Sequence, residues 1–299
     1  LEKNKGGSQM IDYEYKMPKS LQEVMGLLEE YGSKATLIAG GTDVMVKIRN
    51  TRKAPDVLIS LRRLEDLRYI RKNGGYHIGA LTTHRMLEQS DMVKSELSAL
   101  HDAASQVGSV QIRNVATLGG NICNAAPSAD TAGPLLVLDA TAVLEGPDGR
   151  RSVPLTEFFT GTYRTVRQPN EVLIELDIPE GMAQFGSAYW KHSRRKAMEL
   201  PLIGIAVAIK LSEDRREILD SRIALTVAAP TPIRAYLAED FLRGKPLTEE
   251  VLQEAGRIAS STDCCTIRTS LRCEAWYRED MVKVFVPRMA KLAAERSKA

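Results

Sequence analysis

Between Leu21 and Leu28, apolar side chains return at the three- and four-residue steps of a helix, with Leu21, Val24, Met25 and Leu28 on one face. Ser20 and Glu23 stand at capping-box spacing before this face and Gly32 closes it, which predicts a helix within residues 18–32. "TLIA" then reads as a short buried strand, and "VMVKI" resumes after a turn of Gly40, Gly41, Thr42 and Asp43. "PDVLIS" is a further short strand, and "LRYIRKNGGYHIGA" predicts a hairpin turning at Asn73 and Gly74. Helical spacing returns from Glu96 to Val107 and stops at Gly108.

"AVLEGPDGRRSV" is a second hairpin with Pro147, Asp148 and Gly149 in its turn, and "EVLIELDIP" is a strand ending at Pro179. The pattern then changes. In "LIGIAVAIKL" the alternation of Ile203, Ile205, Val207 and Ile209 predicts a strand with one buried face. "RIALTVAAP" is its expected antiparallel partner across the charged turn "SEDRRE". From Arg234 onward helical patterns dominate, including a run through Trp276, Met281, Val284 and Phe285. A domain boundary is expected near residue 180, and no internal repeat interrupts either part.

Composition narrows the class. With 299 residues, 43% of them hydrophobic and 26% charged, the chain has the makings of two folded domains rather than a disordered segment. A formal net charge of +3 is too small to argue for nucleic acid or a membrane surface. No run approaches the ~18 apolar residues of a membrane span. The first nine residues, "LEKNKGGSQ", precede Met10 and read as an appended remnant, with Met10 as the natural start and the cytoplasm as the expected location. Cys123, Cys264, Cys265 and Cys273 form no C-x-x-C pair, so packed free thiols are expected rather than zinc or iron–sulfur ligands. His77, His84, His101 and His192 are scattered, and each is expected at the surface or as a satisfied core residue; no nucleophile–base set is visible.

Two glycine-rich segments carry the candidate chemistry. "AGGTD" (39–43) follows a strand and opens an expected helix, an arrangement that points backbone N–H groups at the positive end of a helix dipole. A pyrophosphate fits such a turn, with Asp43 capping the helix or meeting a hydroxyl. A plain tight turn is the competing reading, and the absence of G-x-G-x-x-G argues against a Rossmann site. The second segment, "VATLGGNICNAAPSAD" (115–130), sets Gly119 and Gly120 beside Asn121, Asn124, Ser128 and Asp130. A surface loop is its bland reading, but two such turns about eighty residues apart could clasp one long ligand.

"LIAGGTDVMVKI", "QIRNVATLGGNICNAAPSADT", "VPLTEFFTGTYRT", "NEVLIELDIP" and "VAAPTPIRA" occur in the order found in one family. The chain resembles the FAD-binding medium subunit of the molybdenum hydroxylases, and within it most resembles the bacterial xanthine dehydrogenase subunits. The resemblance runs from Met10 to beyond Ala235. It implies an α+β fold. A two-subdomain FAD-binding domain of the vanillyl-alcohol oxidase (PCMH) type would occupy 10–180. A smaller carbon monoxide dehydrogenase flavoprotein-like domain, an antiparallel sheet plus helices, would occupy 181–299.

Carried over by position, the resemblance implies that Leu37, Ile38, Ala39, Gly40, Gly41, Thr42, Asp43 and Val44 wrap the FAD pyrophosphate, largely through backbone N–H groups. Thr117, Gly119, Gly120 and Asn121 match the second flavin loop, with Asn124 a further polar contact and Asp130 near the ribose or flavin polar edge. Leu173 falls in a strand lining the same pocket and Lys191 matches a basic residue close to the flavin. Tyr189 and Trp190 supply either an aromatic face or core, and Cys123 reads as a small packing residue.

The implied role is electron transfer. The molybdenum cofactor would sit on a large partner subunit and 2Fe-2S clusters on a small one, in a heterotrimer or its dimer, with NAD or another acceptor downstream. The iron–sulfur loop of the 4-hydroxybenzoyl-CoA reductases is not visible in this sequence. Three readings follow: a xanthine or purine dehydrogenase subunit, the same subunit serving nicotinate, carbon monoxide or an aldehyde, and an assembly module without flavin.

Overall fold

The computed structural model describes residues 12–298; the expected remnant at 1–9 and the start at Met10 lie outside them. The first layer is a parallel three-stranded sheet in which β3 (Val57–Ser60) lies between β1 (Glu14–Lys16) and β2 (Ala35–Ile38). Helix α1 (Leu21–Tyr31) begins at Ser20, whose side chain accepts from the Glu23 N–H, and ends at Gly32 with φ 51°. Glu23 reaches back to the Lys19 N–H at 2.8 Å, so the two caps are reciprocal with a one-residue offset. The helix expected after "AGGTD" is present as α2 (Val44–Thr51), which contains "VMVKI", and β2, at a sheet edge, is only half-buried.

The second layer is a five-stranded antiparallel sheet of order β4-β5-β10-β6-β7. Its members are β4 (Ile70–Lys72), β5 (Gly75–Gly79), β6 (Thr141–Gly146), β7 (Gly149–Pro154) and β10 (Val172–Pro179). Both expected hairpins are present, β4 with β5 and β6 with β7. Between them run six helices: α3 (His84–Gln89), α4 (Asp91–Glu96), α5 (Ser98–Gln106), α6 (Val110–Val115), α7 (Leu118–Asn124) and α8 (Ala132–Val137). Leu97 divides the expected helix at 96–107 into α4 and α5. A short helix α9 (Leu155–Phe158) and the ribbon of β8 (Phe159–Gly161) and β9 (Arg164–Thr165) complete this part.

Beyond a 3-10 turn at Glu180–Gln184 comes an antiparallel sheet of β11 (Gly186–His192), β12 (Ile203–Leu211), β13 (Glu217–Thr226) and β14 (Ile233–Arg234), with β15 (Lys245–Pro246) added on β13. Helices α10 (Tyr236–Leu242), α11 (Glu249–Ala259) and α12 (Ala275–Arg296) follow. Strand β12 departs from expectation: both its faces are buried. Ile203, Ile205, Val207 and Ile209 share a core with α10–α12, while Ala206 and Ala208 join the core of the preceding domain. Small residues alternate with large ones because one face of the sheet must lie close against the N-terminal helices.

Candidate functional site

The two glycine segments, distant in sequence, touch. A Cβ placed on Gly40 would stand 2.1 Å from the Val115 carbonyl oxygen and 2.9 Å from Ala116 Cα. No side chain fits there, so glycine at 40 is what allows the first turn to lie against the second segment. Gly41 follows with φ 76°, a left-handed conformation that favours glycine. Ile38 is buried and Leu37, Ala39 and Val44 are half-buried against the two small cores on either side, which anchors the turn at both ends. Thr42 and Asp43 lie at its surface end; Asp43 is exposed and makes no capping bond, contrary to the capping role expected of it.

The second segment is a helix start and not a loop. Thr117 is the N-cap of α7 and accepts from the Gly120 N–H at 3.1 Å, so Gly119 and Gly120 are helical. Residues 116–119 are stitched to 80–84: His84 N–H donates to the Ala116 carbonyl at 3.1 Å, Leu118 N–H to Thr82 at 2.9 Å, and Gly119 N–H to Ala80 at 2.9 Å. A Cβ on Gly119 would lie 2.7 Å from the Ala80 carbonyl oxygen. Gly40 and Gly119 therefore permit close approach on opposite sides of one strip of backbone.

This arrangement separates the donors of the two segments. The amides of Leu118, Gly119, Gly120 and Asn121 are all consumed within the protein. Those of Gly40, Gly41, Thr42 and Asp43 find no protein acceptor among the described residues. They stand where α2 begins, at the positive end of its dipole, and they fit a pyrophosphate. The 117–121 segment contributes surface and side chains. Asn121 Oδ1 accepts from the Thr131 hydroxyl at 2.7 Å, which leaves its amide NH2 to donate elsewhere; Asn124 is half-buried. Cys123 packs against the core, where burial pushes its thiol up to about 11.

Asp130 and Lys191 meet each other. The Lys191 ammonium lies 2.7 Å from Asp130 Oδ2 and also donates to the Gln106 carbonyl at 3.1 Å. The Tyr189 hydroxyl donates to Asp130 Oδ1 at 2.9 Å. Burial drives the Asp130 carboxyl upward, and Lys191 and Tyr189 oppose that shift. Tyr189 thus belongs to the core as a hydrogen-bond donor, whereas Trp190, on the other face of β11, stacks on Phe285 at 4.9 Å. Leu173 is buried in the core that includes α7 residues Leu118 and Ile122. The contacts with residues 80–84 have no signal in the sequence, because a backbone ladder between distant segments leaves no local pattern.

His84 also differs from expectation. It is fully buried at the start of α3, and neither ring nitrogen has a protein partner. Burial, with the Arg113 charge as a lesser cause, lowers its pKa to about 4. Arg113 itself is turned away into a two-pronged ion pair with Glu88 at 2.9 and 3.2 Å.

The chain matches the family described as the FAD binding domain in molybdopterin dehydrogenase over residues 11–181. Residues 188–293 match the CO dehydrogenase flavoprotein C-terminal domain. The chain is 36% identical to the nicotinate dehydrogenase FAD-subunit of Eubacterium barkeri over 82% of this chain and 84% of that one. It is equally, 36%, identical to the xanthine dehydrogenase FAD-binding subunit of Escherichia coli O157:H7, again over 82% and 84%. A solved chain from the Hydrogenophaga pseudoflava carbon monoxide dehydrogenase lacking the Mo-pyranopterin moiety of its molybdenum cofactor is similar at TM-score 0.89 and 36% identity, covering 96% of this chain and 98% of that one. The chain belongs to the FAD-binding subunits of the molybdenum hydroxylases, and the two-domain α+β organisation implied by the sequence is the one observed.

Two predictions follow from this geometry. Gly40→Ala should force the first turn off Val115 and weaken FAD binding by about tenfold, the equivalent of roughly 1.4 kcal/mol of lost contact. Far-UV dichroism should stay unchanged, and full flavin content in the folded variant contradicts the fit. His84 has a folded pKa of about 4 against about 6.5 unfolded, so the unfolded chain binds the proton more tightly between these values. Its contribution is complete above pH ~6.5 and is lost as pH falls towards ~4, amounting to about 3 kcal/mol. The urea midpoint of wild type should therefore fall relative to that of His84→Leu as pH drops from ~6.5 towards ~4; parallel pH curves contradict it.

Proposed function

We propose that this FAD-binding subunit carries electrons, in the cytoplasm, from the 2Fe-2S clusters of a small partner subunit to NAD+, while a large molybdenum-cofactor subunit hydroxylates xanthine or a related purine. The observation that carries the reading is the row of unpaired amides from Gly40 to Asp43, whose first residue packs against Val115 and Ala116. Bound there, FAD supplies an acceptor for electron pairs, and the protein's task is to bind, place and tune it.

The residues divide that task. Gly40 to Asp43 would hold the pyrophosphate through backbone N–H groups, and Thr117 and Asn121 would present side-chain oxygen and nitrogen atoms beside it. Asp130, held by Lys191 and Tyr189, sits buried at the joint of the two domains. A buried carboxylate flanked by an ammonium and a phenol is fixed in orientation, which suits recognition of a ligand hydroxyl or ring N–H. Among the described residues, no helix is long and apolar enough to cross a membrane.

The xanthine reading rests on the resemblance to bacterial xanthine dehydrogenase subunits, and a second reading has its own support. The carbon monoxide dehydrogenase medium chain aligns with 95% of this sequence, against 82% for the nicotinate and xanthine subunits, all three at 36% identity. The same electron-transfer role with another substrate is therefore the alternative.

The deciding assay is anaerobic reduction of the assembled complex, followed at the flavin absorbance band, with xanthine, nicotinate and carbon monoxide in turn and NAD+ added last. Xanthine should bleach the flavin and NAD+ should restore it. Bleaching by a different substrate transfers the assignment to it, and failure of NAD+ to restore colour removes NAD+ as acceptor. Xanthine bleaching the isolated, partner-free chain contradicts the subunit role altogether.

A further inference from the structure

The five-stranded antiparallel sheet carries a cluster that electron transfer does not use. In a regular strand, residues two apart share a face, so Leu173, Glu175 and Asp177 would all point the same way. The register of β10 against β6 shifts between Leu173 and Glu175, with one extra residue in β10. Leu173 consequently packs with Leu176 and Ile178 in one core, while Val172 and Ile174 pack with Val143 in the other. The bulge thereby turns Glu175 and Asp177 together onto the face that carries Val172 and Ile174, where both are half-buried. Asp177 lies directly across from His77 on β5. His77 Nδ1 is 2.8 Å from Asp177 Oδ1 and 3.6 Å from Glu175 Oε1. One ligand atom from each residue lies within 4.8 Å of the other two.

The other imidazole nitrogen explains the orientation. Nε2 lies 3.1 Å from the Asn73 carbonyl oxygen, which can only accept, so Nε2 carries the proton. With Nε2 protonated, Nδ1 faces both carboxylates, an arrangement that either a second proton on the ring or a metal ion would satisfy. A proton on Nδ1 answers Asp177 but leaves Glu175 Oε1 at 3.6 Å, beyond hydrogen-bond reach. A metal ion about 2.0–2.2 Å from each ligand atom serves all three, and tetrahedral ligands at that radius stand about 3.4 Å apart. The observed 2.8 and 3.6 Å straddle this spacing.

We propose that His77, Glu175 and Asp177 bind one divalent transition-metal ion of the zinc class, clamping β5 to β10. One imidazole nitrogen and two carboxylate oxygens suit zinc, cobalt or nickel better than calcium or magnesium, which favour all-oxygen shells. Supporting contacts of the kind that orient metal ligands are in place: the Asn73 carbonyl behind His77, and the Tyr69 hydroxyl donating to Glu175 Oε2. The side chains of His77, Glu175 and Asp177 are 33%, 20% and 34% exposed, so water can complete the coordination.

The test is calorimetric titration of the EDTA-stripped full chain with zinc chloride, alongside His77→Asn and Asp177→Asn. Wild type should take up one equivalent, and each variant should lose at least about tenfold in affinity. Both variants keep Cys123, Cys264, Cys265 and Cys273, so zinc held by thiols would not distinguish them from wild type. Equal affinity in all three proteins overturns the site, as does absence of saturable uptake at millimolar zinc, which means a proton alone satisfies the cluster. Should the variants not fold, imidazole nitrogen resonances of wild type decide: zinc must shift His77 Nδ1, and an unmoved signal overturns the proposal.

Discussion

The approach of Gly40 to the Val115 carbonyl is the contact on which the arrangement of the site depends. It is a contact of backbone on backbone, closed to any side chain by a distance of 2.1 Å. The strip it presses on is held from behind by Gly119 against Ala80 and by three hydrogen bonds to residues 80–84. Three segments from separate parts of the chain are thus layered with glycine at each close crossing. The outermost keeps its amides free because it is a turn entering a helix, whereas the middle strip spends its own on the ladder beneath it. That division makes the first segment a candidate anion cradle and the second a supporting wall.

A second constraint joins this FAD-binding domain to the C-terminal sheet. The sheet presents Ala206, Ala208 and Ala224 inward, and Tyr189 reaches through the same core to Asp130. Removing Lys191 from such a buried pair would leave the Asp130 charge unmatched, which is more damaging than never having the pair. The pair therefore couples placement of the carboxylate to correct docking of the two domains. The same joint carries Arg222 and Arg234 on Asp139 at 2.6 and 3.1 Å, and Arg296 on Asp102 at 2.6 Å. Polar connections so distributed fix one relative placement of the domains where apolar burial alone would tolerate sliding.

Much of this was legible in the sequence where the signal is local. The α1 caps, both hairpins and the β12–β13 pairing follow from spacing and turn residues. What escaped was set by partners far along the chain. The inner face of β12 looked like a polar-side alternation because alanine and glycine are silent about burial. Gly119 and Gly120 read as a turn, yet Thr117 caps them into α7. Asp130 and Lys191 were each legible as site residues, but sixty residues of separation hid that they pair. His84 looked like a satisfied core histidine until its buried surroundings proved to lack a partner.

Amide hydrogen exchange across residues 37–47 of the chain, stripped of flavin and then reloaded with FAD, tests the anion cradle directly. Gly40 to Asp43 should exchange rapidly without FAD, since no protein acceptor holds their protons, and should become protected when it is bound. The amides of Leu118 to Asn121 should be protected in both states. Loss of exchange at 118–121 with 40–43 unchanged, in protein shown to be yellow, contradicts the division of roles between the two segments.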